Sequence, residues 1–132
     1  MSMSQFLLIH GAWHGARCWH KAIPELEKRG HRAKAIDLPG QGQDQTPLGQ
    51  VTLDTMVDRT VAALTELPRS VVLVGHSLAG MVISAAAEKA PDRIKTLVFL
   101  TALFRITNLI ELHSVPASRG RYEELKYPRD HA

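Results

Sequence analysis

Four short apolar runs, each closed by a turn signal and separated by helical patterns, limit what this chain can fold into more than any other feature. Gln5 to His10 (QFLLIH), Arg32 to Leu38 (RAKAIDL), Ser70 to Val74 (SVVLV) and Ile94 to Thr101 (IKTLVFLT) read as strands. The last two are almost wholly apolar, the signature of a strand buried on both faces. From Ala16 to Arg29 the residues Trp19, Ala22, Ile23 and Leu26 recur at helical steps. Lys21, Glu25, Lys28 and Arg29 take the other face, Gly30 supplies a stop, and Pro24 predicts a kink or break. Thr52-Leu-Asp-Thr opens a second helix with Met56, Val57, Val61 and Leu64 on one face, and Pro68 lies past its end. A small-residue helix (MVISAAAEKA) ends at Pro91-Asp92. The order βαβαβαβ with apolar strands predicts an α/β fold: a three-layer α/β/α arrangement around a parallel sheet of about four strands.

With 132 residues the chain has room for one domain with a real core. A net charge of +3 with interspersed signs argues against a nucleic-acid or anionic-membrane partner. A single cysteine, Cys18, rules out an intrachain disulfide. No apolar run approaches the roughly 20 residues of a membrane helix. Met1 to Gln5 lacks a basic leader region, so a cytoplasmic location is expected.

The strongest chemical signal is Gly75-His-Ser-Leu-Ala-Gly80 between a buried strand and a helix. A serine there sits on a sharp strand-to-helix turn at the C-terminal edge of the sheet, exposed as a nucleophile. Such a turn strains the backbone at Ser77 and demands small residues two positions away, which Gly75 and Ala79 are. The plainer alternative is a strand-helix join with Ser77 as helix cap. His10-Gly11-Ala12-Trp13, after the first strand, is the complementary signal. Acyl transfer needs two backbone N–H donors aimed at the developing oxyanion, and Leu78 and Ala12 are positioned in sequence to supply them. His10, His14 and His20 have no fixed helical spacing and no Cys or carboxylate companion, so no metal site is expected. No Gly-x-Gly-x-x-Gly follows a strand, and no Walker-type lysine is present.

At these residues the chain resembles the α/β-hydrolases. His10-Gly-Ala-Trp-His-Gly-Ala-Arg-Cys-Trp19, Asp37-Leu-Pro-Gly-Gln-Gly42 and Gly75-His-Ser-Leu-Ala-Gly80 are most similar to the branch of plant methylesterases, hydroxynitrile lyases and bacterial esterases. The likeness runs from about Gln5 to Ala102. It implies a carboxylic ester hydrolase with Ser77 as nucleophile and the Ala12 and Leu78 amides as oxyanion hole. It also implies an acyl pocket near Trp13, a small-molecule ester substrate and no cofactor. His76 is implied to point away from the serine.

The chain departs from the family after residue 102. The family triad runs Ser, Asp, His, with the last two on loops after later strands. Here residues 1–102 read as the α/β-hydrolase core segment, a truncated N-terminal portion, and 103–132 as an irregular or partly helical tail, with Ser114 to Arg121 irregular. A shifted reading frame or altered gene end would account for that change of pattern. After Ser77 the bases on offer are His113 and His131; the acids are Glu88, Asp92, Glu111, Glu123, Glu124 and Asp130. Asp92 precedes a strand and belongs at the opposite sheet edge. Asp37 reads as structural. Two rivals to esterase chemistry follow: a catalytically inactive fragment or ligand-binding module, and a hydroxynitrile lyase-like activity. With no strand expected beyond Ile94 to Thr101, that strand is left as an open edge, which predicts self-association.

Overall fold

The computed structural model describes residues 2–100 and 113–116. Strand β1 (Gln5–Ile9) lies between β2 (Arg32–Ile36) and β3 (Val71–His76), parallel to both. β4 (Ile94–Leu100) is parallel to β3, and β5 (His113–Pro116) runs antiparallel on the far side of β4, giving the order β2-β1-β3-β4-β5. The chain moves from β1 outward to β2, then crosses back past β1 to β3. Right-handed crossovers taken in opposite directions put their helices on opposite faces of the sheet. Helix α1 (Ala22–Lys28) therefore covers one face, while α2 (Leu53–Glu66) and α3 (Ala79–Lys89) cover the other.

The period-two alternation of the strands feeds both layers. Leu7, Ile9, Leu73, Leu97 and Phe99 pack with Val57 and Leu64 of α2 and Val82, Ile83 and Ala86 of α3. Leu8 and Val74 turn to the other side, onto Trp19, Ile23 and Leu26. Helix α2 starts at a capping box: the Thr52 hydroxyl accepts from the Thr55 N–H at 3.1 Å, and the Thr52 N–H donates to the Thr55 hydroxyl at 2.9 Å. That exchange satisfies two of the donors a helix start leaves open.

Two expectations need correction. The helix expected from Ala16 to Arg29 is a short 3₁₀ turn (Ala16–Trp19) followed by α1, so the break falls at His20-Lys21 and not at Pro24. Pro24 is the third residue of α1, inside the first turn, where a missing N–H breaks no intrahelical bond.

The second concerns the sheet edge. β4 is not open: Phe99 pairs with His113, and Thr96 with Pro116. Residues 114–116, read from sequence as irregular, belong to this strand. Proline suits an outer strand, where a lost donor breaks no ladder on the far side. The premise of an uncovered β4 is removed. The other outer strand, β2, carries the exposed cations Arg32 and Lys34, a charge pattern that discourages edge-to-edge pairing. The boundary expected at 102/103 lies outside the described residues.

Candidate active site

β1 and β3 are neighbours whose onward connections leave in opposite directions. Such a switch point opens a crevice at the C-terminal strand ends, the place where doubly wound sheets bind ligands. The loop after β1 (residues 10–15) and the turn after β3 (residues 77–78) meet there. Ser77 has φ 55°, and among the described residues only it and Trp13 are non-glycine residues in the left-handed region. That conformation costs about 1–2 kcal/mol for an L side chain. The turn is held from both sides: the Ser77 N–H donates to the Leu100 carbonyl at 3.3 Å, and its carbonyl accepts from the Gly80 N–H at 3.0 Å.

The expected demand for small neighbours has a direct cause. A Cβ on Gly75 would stand 2.9 Å from both the Ala79 carbonyl oxygen and Ile83 Cδ1. Gly75 and Ala79 are thus pressed against each other across the turn. Ser77 is half-buried, and among the described residues its hydroxyl has no hydrogen-bond partner.

The β1 loop packs directly on this turn. A Cβ on Gly11 would lie 3.0 Å from Ser77 Cβ and 3.2 Å from both the His76 carbonyl and its Nδ1. Only a bare backbone approaches so closely. The amide N–H groups of Ala12 and Leu78 have no partner among the described residues. Ser77, Ala12 and Leu78 are brought together at the C-terminal ends of β1 and β3. Trp13 shares the loop, but its side chain is 97% exposed and stands in solvent.

In sequence His10 opens the His10-Gly11-Ala12-Trp13 signal and is no metal ligand, but its ring has no assigned part. It is in fact fully buried, and both ring nitrogens are engaged: Nδ1 with the Gly11 carbonyl at 2.7 Å, Nε2 with the Leu38 N–H at 3.0 Å. Burial pushes its pKa below the ordinary histidine value, against the opposing pull of the Gly11 carbonyl and the Asp37 charge; nearby His14 adds to the lowering. The His76 ring lies 6.4 Å from Trp19 in an edge-on contact and 6.3 Å from His14. Burial first, then His14, lowers its pKa too.

Asp37 has the structural part expected of it. Oδ1 accepts from the Ala16 N–H at 2.8 Å and Oδ2 from the Gln43 N–H at 3.3 Å, tying the loop after β2 to the loop after β1. Gly42, at φ 59°, runs so close that a Cβ would overlap the Asp37 carboxylate. Arg59 fixes the same region, donating to the Asp37 carbonyl at 3.0 Å and pairing with Asp44 at 2.7 Å. Asp44 also accepts from the Gly40 and Thr46 N–H groups at 2.9 Å each. Bonds from Thr46 foremost, then Gly40 and Arg59, hold its carboxyl well below the usual range.

Neither described acid after Ser77 shares its edge. Asp92 sits in the 3₁₀ turn Pro91–Arg93 ahead of β4, and Glu88 lies near the far end of α3, about 13–14 Å of helix from its start. His113 begins β5 opposite Phe99, which pairs with Gly75. Its backbone stands at the Ser77 edge, two strand spacings or about 10 Å across the sheet. Glu111, Glu123, Glu124, Asp130 and His131 lie outside the described residues. Among the described residues no group of three or more His, Cys, Asp or Glu is arranged to hold a metal ion, and no helix is long and apolar enough to cross a membrane.

A three-layer sheet with a strained serine turn beside a glycine-bearing loop defines a hydrolase-type α/β architecture. Residues 6–130 match the Alpha/beta hydrolase family, and the chain belongs to it. Methylesterase 1 of Arabidopsis thaliana is 45% identical over 101 residues, covering 74% of this chain and 38% of the relative. The alpha-hydroxynitrile lyase of the same plant is 40% identical over 111 residues, or 82% of this chain and 43% of that protein. The crystal structure of polyneuridine aldehyde esterase superposes with a TM-score of 0.74 at 32% identity, over 98% of this chain and 50% of the other. An extracellular alpha/beta-hydrolase from a Paenibacillus species gives 0.71 at 33% identity, over 78% and 42%. The chain thus spans about two-fifths of the length of the curated relatives it matches.

Proposed function

We propose that this chain carries the nucleophile and oxyanion half of a serine carboxylic-ester hydrolase. The Ser77 hydroxyl attacks the carbonyl carbon of a small ester. The Ala12 and Leu78 N–H groups hold the oxyanion, the alcohol leaves, and water releases the acid from the acyl-enzyme. One observation carries this reading: Ser77, in the left-handed region at a strand-to-helix turn, lies against the loop after β1, and the Ala12 amide of that loop and the Leu78 amide of the turn lack partners among the described residues. Strained backbone of this kind persists where the surrounding structure over-determines it, and it clusters at active sites. The methylesterase relatives support an ester as substrate. Trp13, on the same loop, would meet the acyl group, and the chemistry calls for no cofactor. A cytoplasmic location accords with the free, exposed thiol of Cys18.

Two assays test it together: p-nitrophenyl acetate and a plain methyl ester, each with the 132-residue chain and with Ser77→Ala. If Ser77 is the nucleophile, p-nitrophenol release, which needs no protonated leaving group, should depend on Ser77, while the methyl ester, whose leaving group must be protonated, stays intact. Equal release by Ser77→Ala would refute the nucleophile. A second reading draws on the alpha-hydroxynitrile lyase relative: the same crevice cleaving a cyanohydrin by proton transfer. Cyanide release from mandelonitrile without ester cleavage would favour it.

A further inference from the structure

Gly11 and Ala12 share one planar trans peptide, in which the carbonyl and the N–H must point opposite ways. Whatever grips the Gly11 carbonyl therefore sets where the Ala12 N–H faces. Two donors grip it: His10 at 2.7 Å and the His14 N–H at 3.3 Å. The His10 bond is the short one, and it comes from a ring with no exposure to solvent.

The chemistry of the ring fixes its state. Nε2 lies 3.0 Å from the Leu38 N–H, which can only donate, so Nε2 must be the unprotonated acceptor. The Gly11 carbonyl can only accept, so Nδ1 must carry the proton. These two bonds together admit one form, the neutral Nδ1–H imidazole. An imidazolium would set its Nε2–H against the Leu38 N–H, and the other neutral tautomer would lose both bonds at once. A buried polar ring is tolerated only when its bonds are made. The loop after β2 thereby dictates, through His10, how the loop after β1 is turned.

We propose that His10 is a positioning residue: it clamps the Gly11 carbonyl and so holds the Ala12 N–H in the donor orientation toward the carbonyl oxygen of an ester bound at Ser77. This rests on the reading of Ala12 as an oxyanion donor. His10 touches no substrate; it acts through the peptide it turns. Asn offers a donor where Nδ1 stands, whereas Gln places its amide near Nε2 and leaves the Gly11 carbonyl without its short bond. The two variants separate positioning from mere filling of the core.

The test has two arms on the full 132-residue chain. In the first, nitrogen-15 NMR of the imidazoles reads the His10 tautomer at pH 7, and the Ala12 amide signal is followed in native protein and His10→Ala. The proposal expects a neutral Nδ1–H ring, and an Ala12 amide that moves on substitution while amides of α2 such as Leu64 do not. An Nε2–H ring or an unmoved Ala12 amide would overturn it, whatever the activity. In the second arm, Ser77-dependent cleavage of p-nitrophenyl acetate is compared among variants that melt cooperatively. Loss of one oxyanion donor costs about 10²- to 10³-fold, and a donor turned aside should cost less. The expected result is a kcat lowered about 10- to 100-fold in His10→Gln and His10→Ala, no more than a few-fold in His10→Asn, and KM little changed. Equal losses in Asn and Gln variants would assign His10 to packing alone and overturn the proposal. Absence of any Ser77-dependent cleavage in the native chain would instead refute the nucleophile, and the first arm alone would then decide the clamp.

Discussion

Replacing Ser77 by glycine should destroy activity and stabilise the fold. At φ 55° Ser77 occupies a conformation that costs an L residue about 1–2 kcal/mol and costs glycine nothing. Against this relief stands the greater freedom glycine gives the unfolded chain, a penalty of roughly 0.5–1 kcal/mol. The difference leaves Ser77→Gly roughly 0–1.5 kcal/mol above the native protein, about 0.75 at the centre of both ranges. Ser77→Ala is the control: it removes the same hydroxyl, which has no partner among the described residues, but keeps the Cβ and the strain. For a domain of this size a gain of 1 kcal/mol raises Tm by roughly 3–6 °C. Calorimetry should therefore place Ser77→Gly several degrees above Ser77→Ala, with urea unfolding showing the same order at unchanged slope. A Ser77→Gly protein melting at or below Ser77→Ala would refute the claim that the turn stores strain at the nucleophile.

Other outcomes follow from the same geometry. Gly75→Ala puts a Cβ 2.9 Å from the Ala79 carbonyl, a backbone atom that cannot swing away, so it should cost about 1–3 kcal/mol in urea unfolding; an unchanged midpoint would contradict that contact. Stability should fall as pH drops through about 6.5 toward the lower folded pKa. The buried His10 has its folded pKa lowered from 6.5, so the unfolded chain binds more protons as pH falls through that value toward the folded pKa. His76 acts in the same sense, Asp37 and His14 being the charges that bear on His10. The decline between pH 7.5 and 5.5 should be shallower in His10→Asn, and an identical decline would exclude His10 as its source. Asp44→Asn should loosen the loop after β2, since its carboxylate joins Arg59 to the Gly40 and Thr46 amides; faster amide exchange at Gly40 and Thr46 than in native protein is the expected sign.

The alternation of apolar runs and helical patterns is enough to derive a parallel sheet covered on both faces, because both faces of a strand such as Val71 to Val74 pack against helices, with Val72 alone half-buried. The serine turn is legible for a related reason: the crowding between Gly75 and Ala79 is local, the two being four residues apart. What sequence missed depends on distant partners. His10 ends an apolar strand, but its meaning lies in Leu38, 28 residues on. Arg59 looks like one more exposed cation on α2 until Asp44 and the Asp37 carbonyl are seen beside it. Helical periodicity runs unbroken through Trp19 and Ile23, yet the first turn is 3₁₀, since the period of burial does not distinguish a continuous helix from two short ones. β5 has four residues and ends on a proline, too little pattern to reveal pairing that only the β4 edge supplies.

The central claim is that Ser77 attacks an ester carbonyl, and its most direct test is the mass of the adduct. The chain is treated with a fluorophosphonate, which phosphonylates an activated serine, then digested and sequenced by mass spectrometry. The account predicts one modification, on the Ser77 hydroxyl, absent from Ser77→Ala. Label found instead on the exposed Cys18, or an unmodified Ser77 after prolonged exposure of folded protein, would contradict it.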